Sequence, residues 1–156
     1  MLETYAFISD RSVASSAAVF ALALVAYAGL WAIDRHHRVG SDDSSRPRQL
    51  AARLGASLTT LAWALLLVAV IGRALASQRV PWGNMYEFAL VGTLGMVGLY
   101  LALLRPLSAS WLGLPVTTVA LASLMLASLL LYAPAGPLVP ALQSYWLVVH
   151  VAAAIL

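Results

Sequence analysis

The chain has 156 residues, of which 62% are hydrophobic and 10% charged. Soluble domains carry about a quarter charged residues, so this composition, with a mean hydropathy of +0.89, excludes most soluble folds and excludes disorder. Nine basic residues, all Arg, against six acidic ones give a formal charge of +3. They flank apolar runs and therefore report membrane orientation, not phosphate binding, so no nucleic-acid partner is expected. Cysteine is absent, which excludes a disulfide framework, a thiolate metal site and a cysteine nucleophile.

Apolar stretches of about 20 residues cross a hydrocarbon core of about 30 Å. Four such stretches occur, at 14–33, 55–75, 86–104 and 112–132, predicting an all-α, polytopic membrane protein. A fifth apolar run starts near Tyr145 and continues to Leu156, the start of a fifth helix that covers only about 18 Å. The chain is accordingly expected to be the membrane-embedded N-terminal part (1–156) of a longer protein. The first span resembles a signal peptide only in its Ala26-Tyr27-Ala28 triplet. Its leading segment carries Glu3 and Asp10, and the cluster Arg35, Arg38, Arg46, Arg48 and Arg53 follows it, the pattern of an anchor with the N-terminus outside. Residues 34–54 then form a cytoplasmic linker of mixed charge, and alternation puts 76–85 and the Pro-rich loop 133–144 outside. Arg105 joins the five linker arginines inside, while Arg11, Arg73 and Arg79 fall outside, as the positive-inside rule requires. His36 and His37 are adjacent in the linker and share no helix face, which argues against a metal role.

Gly92, Gly95 and Gly98 in the third span read as a face for close helix packing. Ser110 reads as the N-cap of the fourth span, with Pro115 in its first turn. Ser123 and Ser128 read as interhelical hydrogen-bonders. Chemistry concentrates in two segments. Residues 81–90, PWGNMYEFAL, gather Trp82, Asn84, Tyr86 and Glu87 at the mouth of the third span. Asn84 and Glu87 have capping-box spacing, with Trp82 and Tyr86 as interfacial aromatics; a site role for Glu87 is the other reading, because a carboxylate facing lipid is costly. The second segment, 134–151, leads into the fifth helix and holds His150. Trp146, four residues earlier, and Ala153 and Ala154 share its face. An imidazole there suits either a hydrogen bond to a neighbouring helix or axial ligation of haem iron through one ring nitrogen.

The stretch GRALASQRVPWGNMYEFAL, beginning at Gly72, followed about fifty residues later by LQSYWLVVHV, resembles the CcsA/ResC type of cytochrome c biogenesis protein, called CcsB in actinobacteria. The resemblance covers roughly 60–156 and is strongest at 79–90 and 142–151. It implies a system II haem lyase or exporter subunit in the bacterial cytoplasmic membrane. Such a subunit transiently holds b-type haem and presents it outside for attachment to apocytochrome c. It implies as partners a ResB-type membrane subunit, thiol-reducing proteins and apocytochrome c. By the same resemblance His150 is one of two external histidines that hold haem iron, with Trp146 beside it, and Trp82, Asn84, Tyr86 and Glu87 shape the outer mouth. The Trp-rich WWD segment of the family, its second external His and its membrane-embedded His are absent from these residues. The competing reading is a membrane scaffold or transporter fragment with a structural His150; a b-type electron-transfer cytochrome would need facing mid-membrane His pairs, which the sequence lacks.

Overall fold

The computed structural model describes residues 1–37, 45–104, 106, 109–136, 146, 149, 150 and 153. Four helices follow in order: α1 (Leu2–His37), α2 (Ser45–Ser77), α3 (Met85–Leu104) and α4 (Gly113–Leu130), the last preceded by a 3-10 turn at Ala109–Leu112. All four are long and apolar enough to cross a membrane. Among the described residues there is no strand, so the expected all-α, multi-pass architecture stands.

The first two helices extend well beyond the apolar runs. Residues 2–13 contain no Gly or Pro to interrupt α1, so Glu3, Asp10 and Arg11 lie on a helix that the sequence reading treated as a leading segment. The proposed linker is likewise shorter than 34–54, since 34–37 end α1 and 45–54 begin α2. Arg48 Nε donates to Asp34 Oδ1 at 2.6 Å across the two helix ends. Residues 38–44, and Arg105, lie outside the described residues.

The buried positions explain why these helices pack. On α1 they are Ser9, Val13, Ser16, Phe20, Ala23, Tyr27 and Leu30, and on α2 Gly55, Thr59, Ala62, Leu66, Ala69 and Arg73, with Gly72 buried beside the last. The spacing alternates between four and three residues, and it repeats on α3 (Tyr86, Leu90, Thr93, Val97, Tyr100) and on α4 (Gly113, Thr117, Ala120, Leu124, Ala127). That is the 3.5-residue repeat of knobs-into-holes packing. The seams of α1 and α2 are rich in small residues, which lets the backbones approach closely enough for side chains to reach main-chain carbonyls. Ser9 Oγ donates to the Ala69 carbonyl at 2.7 Å, and Ser16 Oγ to that of Ala62 at 2.8 Å. These two pairs fix an antiparallel register. The remaining helices complete a ring in which α1 touches α2 and α4, and α3 touches α2 and α4.

Tyr27 pins the Asp34 end of this bundle. Its hydroxyl lies 2.8 Å from that of Tyr100, and its ring passes between Gly55 and Gly113, where any Cβ would collide with it. Across the bundle's middle Thr93 Oγ1 donates to Ser123 Oγ at 2.9 Å, the interhelical bond read for Ser123. Three expectations need correction. A Cβ at Gly92 or Gly95 would meet no atom within 4 Å, so these glycines do not serve close packing among the described residues. Gly98 alone does, because its bare backbone lets the Trp63 indole lie across α3 and donate to the Leu94 carbonyl at 2.9 Å. Ser110 is not the cap of α4: it lies in the 3-10 turn, and the N-cap position is Leu112, with no side-chain cap. The helical segment has already begun at Ala109, so Ser110 lies inside it and not at its start. Pro115 does occupy the first turn.

Gly113→Val should lower stability by about 1–3 kcal/mol through overpacking against Tyr27, whereas Gly92→Ala should leave it unchanged or raise it by up to about 1 kcal/mol through helix propensity. Unfolding midpoints of the two variants in the same detergent check this pair.

Candidate functional site

The end of the bundle opposite Tyr27 gathers its charges around one carboxylate. α2 closes at Ser77, and Gln78 takes a left-handed conformation with φ 53°. The Arg79 N–H then returns to the Ala74 carbonyl at 3.3 Å, the six-to-one bond of a Schellman cap with Gln78 in the position usually given to Gly. The chain reverses through a tight turn at Pro81, where the Trp82 N–H reaches the Val80 carbonyl at 2.9 Å. Asn84 starts α3: its Oδ1 accepts the Glu87 N–H at 2.8 Å, and its carbonyl accepts that of Phe88 at 3.0 Å. The expected cap is thus present, with one shift. The Glu87 side chain accepts from the Gly83 N–H at 2.9 Å, one residue ahead of the N-cap.

Besides its part in the cap, Glu87 carries the charge pairing of this end. Its side chain is fully buried at the positive end of the α3 dipole. Arg79 grips both its oxygens, Nη1 to Oε2 at 2.7 Å and Nη2 to Oε1 at 3.3 Å, and Arg73 Nε donates to Oε1 at 3.3 Å. A Cβ at position 83 would fall on the Arg79 guanidinium, which is why Gly stands there. Arg73 is only 1% exposed; its Nη2 donates to the Ala133 carbonyl, and Arg79 Nε donates to that of Gly136 at 3.3 Å. Arg73 Nη1 lies 3.9 Å from Asp10 Oδ1, a buried atom with no hydrogen-bond partner among the described residues. The other Asp10 oxygen accepts the Tyr132 hydroxyl at 2.8 Å. Two cations and two anions thus balance; Glu87 is fully buried, while Asp10 is 38% exposed and its contact with Arg73 is the weaker one.

The sequence reading placed Tyr86 in an interfacial belt, and the structure corrects it. Tyr86 is 1% exposed, because the Arg73 guanidinium sits over its ring at 5.0 Å and Tyr132 meets it edge-on at 5.4 Å. Trp82 is half-buried. Asp10, Arg73, Arg79 and Tyr132 were not singled out. Arg73 carried a usable signal, since an Arg inside an apolar span needs a buried partner.

Against this geometry, the sequence is 39% identical over 107 residues, 65% of the chain, to the cytochrome c biogenesis protein CcsA of Synechococcus sp. (strain JA-3-3Ab). The similarity supports a CcsA-type assignment. The chain spans 29% of that CcsA protein's length. No family model matches the chain, and no solved structure matches it.

Of the four residues expected at the outer mouth, Asn84, Tyr86 and Glu87 join this cluster and Trp82 stands in the turn just before it, while none of the hydrogen bonds of the cluster just described involves Trp146 or His150. Those two residues, with Val149 and Ala153, are helical and exposed, Trp146 at 76%. Among the described residues no group of three or more His, Cys, Asp or Glu could hold a bare metal ion. Haem makes a smaller demand, since the macrocycle supplies four nitrogens and the protein one or two axial ligands. The single exposed imidazole of His150 has the kind of donor that this requirement calls for.

Glu87→Ala should cost about 3–5 kcal/mol, because it strands two arginine charges, and Asn84→Ala about 1 kcal/mol, the value of a lost cap. Denaturation in detergent gives both. The hydrogen bond to Asp10, followed by burial, raises the Tyr132 phenol above its ordinary 10.0. Its stabilising contribution is thus complete below pH 10.0 and is lost as pH rises through the higher folded value. An alkaline absorbance titration of the protein minus that of Tyr132→Phe should show one late-ionising tyrosine.

Proposed function

We propose that this chain handles haem in cytochrome c maturation of the system II type, in the bacterial cytoplasmic membrane, with the Glu87 end of the bundle outside. The orientation draws support from Arg35, Arg46, Arg48 and Arg53, all exposed at the opposite end, where a cytoplasmic face concentrates Arg. The cargo is b-type haem, held transiently for covalent attachment to apocytochrome c, with a ResB-type subunit and thiol-reducing proteins as partners. In this reading the 156 residues supply part of the haem-handling domain and the rest of the protein supplies the Trp-rich outer segment. The name of the relative, a cytochrome c biogenesis protein, supports the process.

The observation that carries the residue assignment is the exposed helical face of Trp146, Val149, His150 and Ala153. Positions four and three apart on a helix lie on one face, the face that this reading assigns to the indole, the imidazole and the small Ala153. His150 would hold haem iron through one ring nitrogen, and the other would donate to an acceptor that orients the ring. Trp146 covers the ring face and keeps water from it. Trp82, Asn84, Tyr86 and Glu87 build the outer mouth around this position. Haem brings the reactive chemistry when bound; the chain binds it, orients it and limits its exposure.

In the full-length protein purified in detergent, His150→Ala should lose most of the Soret and α-band intensity, and added imidazole should restore it. An unchanged spectrum with normal cytochrome c maturation would make His150 structural and return the chain to a scaffold or transporter role.

A further inference from the structure

We infer that Glu87, acting through Arg73 and Arg79, is a positioning residue that fixes where the chain leaves α4 and so where His150 is presented. Residues 132–136 are neither helix nor strand. The hydrogen bonds described for them all go to side chains of other elements: Arg73 donates to the Ala133 carbonyl, Arg79 to the Gly136 carbonyl, and the Tyr132 hydroxyl donates to Asp10. A segment without its own ladder is held only as firmly as the groups that hold it. Here the two guanidiniums grip carbonyls three residues apart, and both are oriented by the same fully buried carboxylate.

The geometry requires arginine. A guanidinium presents five donors in a fixed fork, so Arg79 binds both Glu87 oxygens and still reaches Gly136 through Nε. Lys would neutralise Glu87 from one point and release the carbonyl. If the cluster served only to balance charge, Lys at position 79 would suffice. In the inferred arrangement the placement of Trp146 and His150, which follow this segment in sequence, depends on the clamp. The link from this clamp to haem rests on the proposed role of His150.

The test uses the full-length protein with spin labels at two introduced cysteines, Leu99→Cys on α3 and Val149→Cys; both positions are exposed, at 62% and 41%. A second pair, Val25→Cys with Leu99→Cys, reports on the bundle itself. Pulsed-EPR distances between Leu99 and Val149 should show a single maximum in the parent protein. In Arg79→Lys and Glu87→Gln that maximum should be lost or shifted, while the Val25 to Leu99 distance stays put. The clamp variants should also bind haem about tenfold more weakly, with imidazole restoring the Soret band, which repair of a merely misfolded protein would not do. An unchanged Leu99 to Val149 distribution in Arg79→Lys overturns the inference, and this variant decides alone should Glu87→Gln fail to fold. If His150→Ala leaves the Soret band intact, the haem reading falls while the distance measurement still decides the clamp.

Discussion

A carboxylate that reaches no solvent must find its donors inside the protein, and Glu87 finds four, from Arg73, Arg79 and the Gly83 amide. Most of what lies at this end of the bundle follows from that demand. Arg73 can be buried only because Glu87 and Asp10 face it. The α2–α3 connection must bend as it does to return Arg79, and position 83 must lack a side chain to let the guanidinium through. The path after α4 is set by the donors that the two arginines have left. An ion cluster of this kind is weak evidence for net stability, since desolvation offsets much of the Coulomb gain. Its value is geometric: few arrangements of four chain segments satisfy it.

The opposite end solves its packing with sterics. Tyr27 occupies a slot that exists because two residues from different helices, Gly55 and Gly113, lack side chains, and the Tyr100 hydroxyl terminates it. Between these two ends the four-three repeat runs along every helix and keeps each seam facing its neighbours. Small residues on α1 and α2 allow a close approach, and serines spend it on hydrogen bonds to carbonyls of the facing helix. In a bilayer, where apolar side chains gain little by leaving lipid for one another, such contacts and tight van der Waals fit hold helices together.

Hydropathy made the four spans legible, because the length of an apolar run is set by the bilayer. Their true ends were not, since α1 continues through Asp10 and Arg11 on the strength of its packing seam and not of its apolarity. The repeat itself was present in the sequence, but in a chain that is apolar on all faces it carries little contrast. The Asn84 cap was readable from local spacing, for capping depends on near neighbours. Glu87's partners were not: Arg73 and Asp10 lie on other helices, and only tertiary structure brings them within reach. The glycines misled for the same reason, since a small residue reveals that close approach is allowed and says nothing about whether a neighbour takes the offer. At Gly98 Trp63 does; at Gly92 and Gly95 nothing does.

The cluster's construction also bears on the order in which the protein is made. Synthesis is vectorial, so α1 and α2 emerge ahead of α3 and its Glu87. Until then the Arg73 charge has only Asp10 opposite it, across 3.9 Å. The arrival of α3 brings the carboxylate, and Ala133 and Gly136, the last acceptors, come only after α4 is complete. Closure of this end therefore cannot precede the synthesis of α4, and until it closes the arginines lack acceptors that the finished bundle supplies.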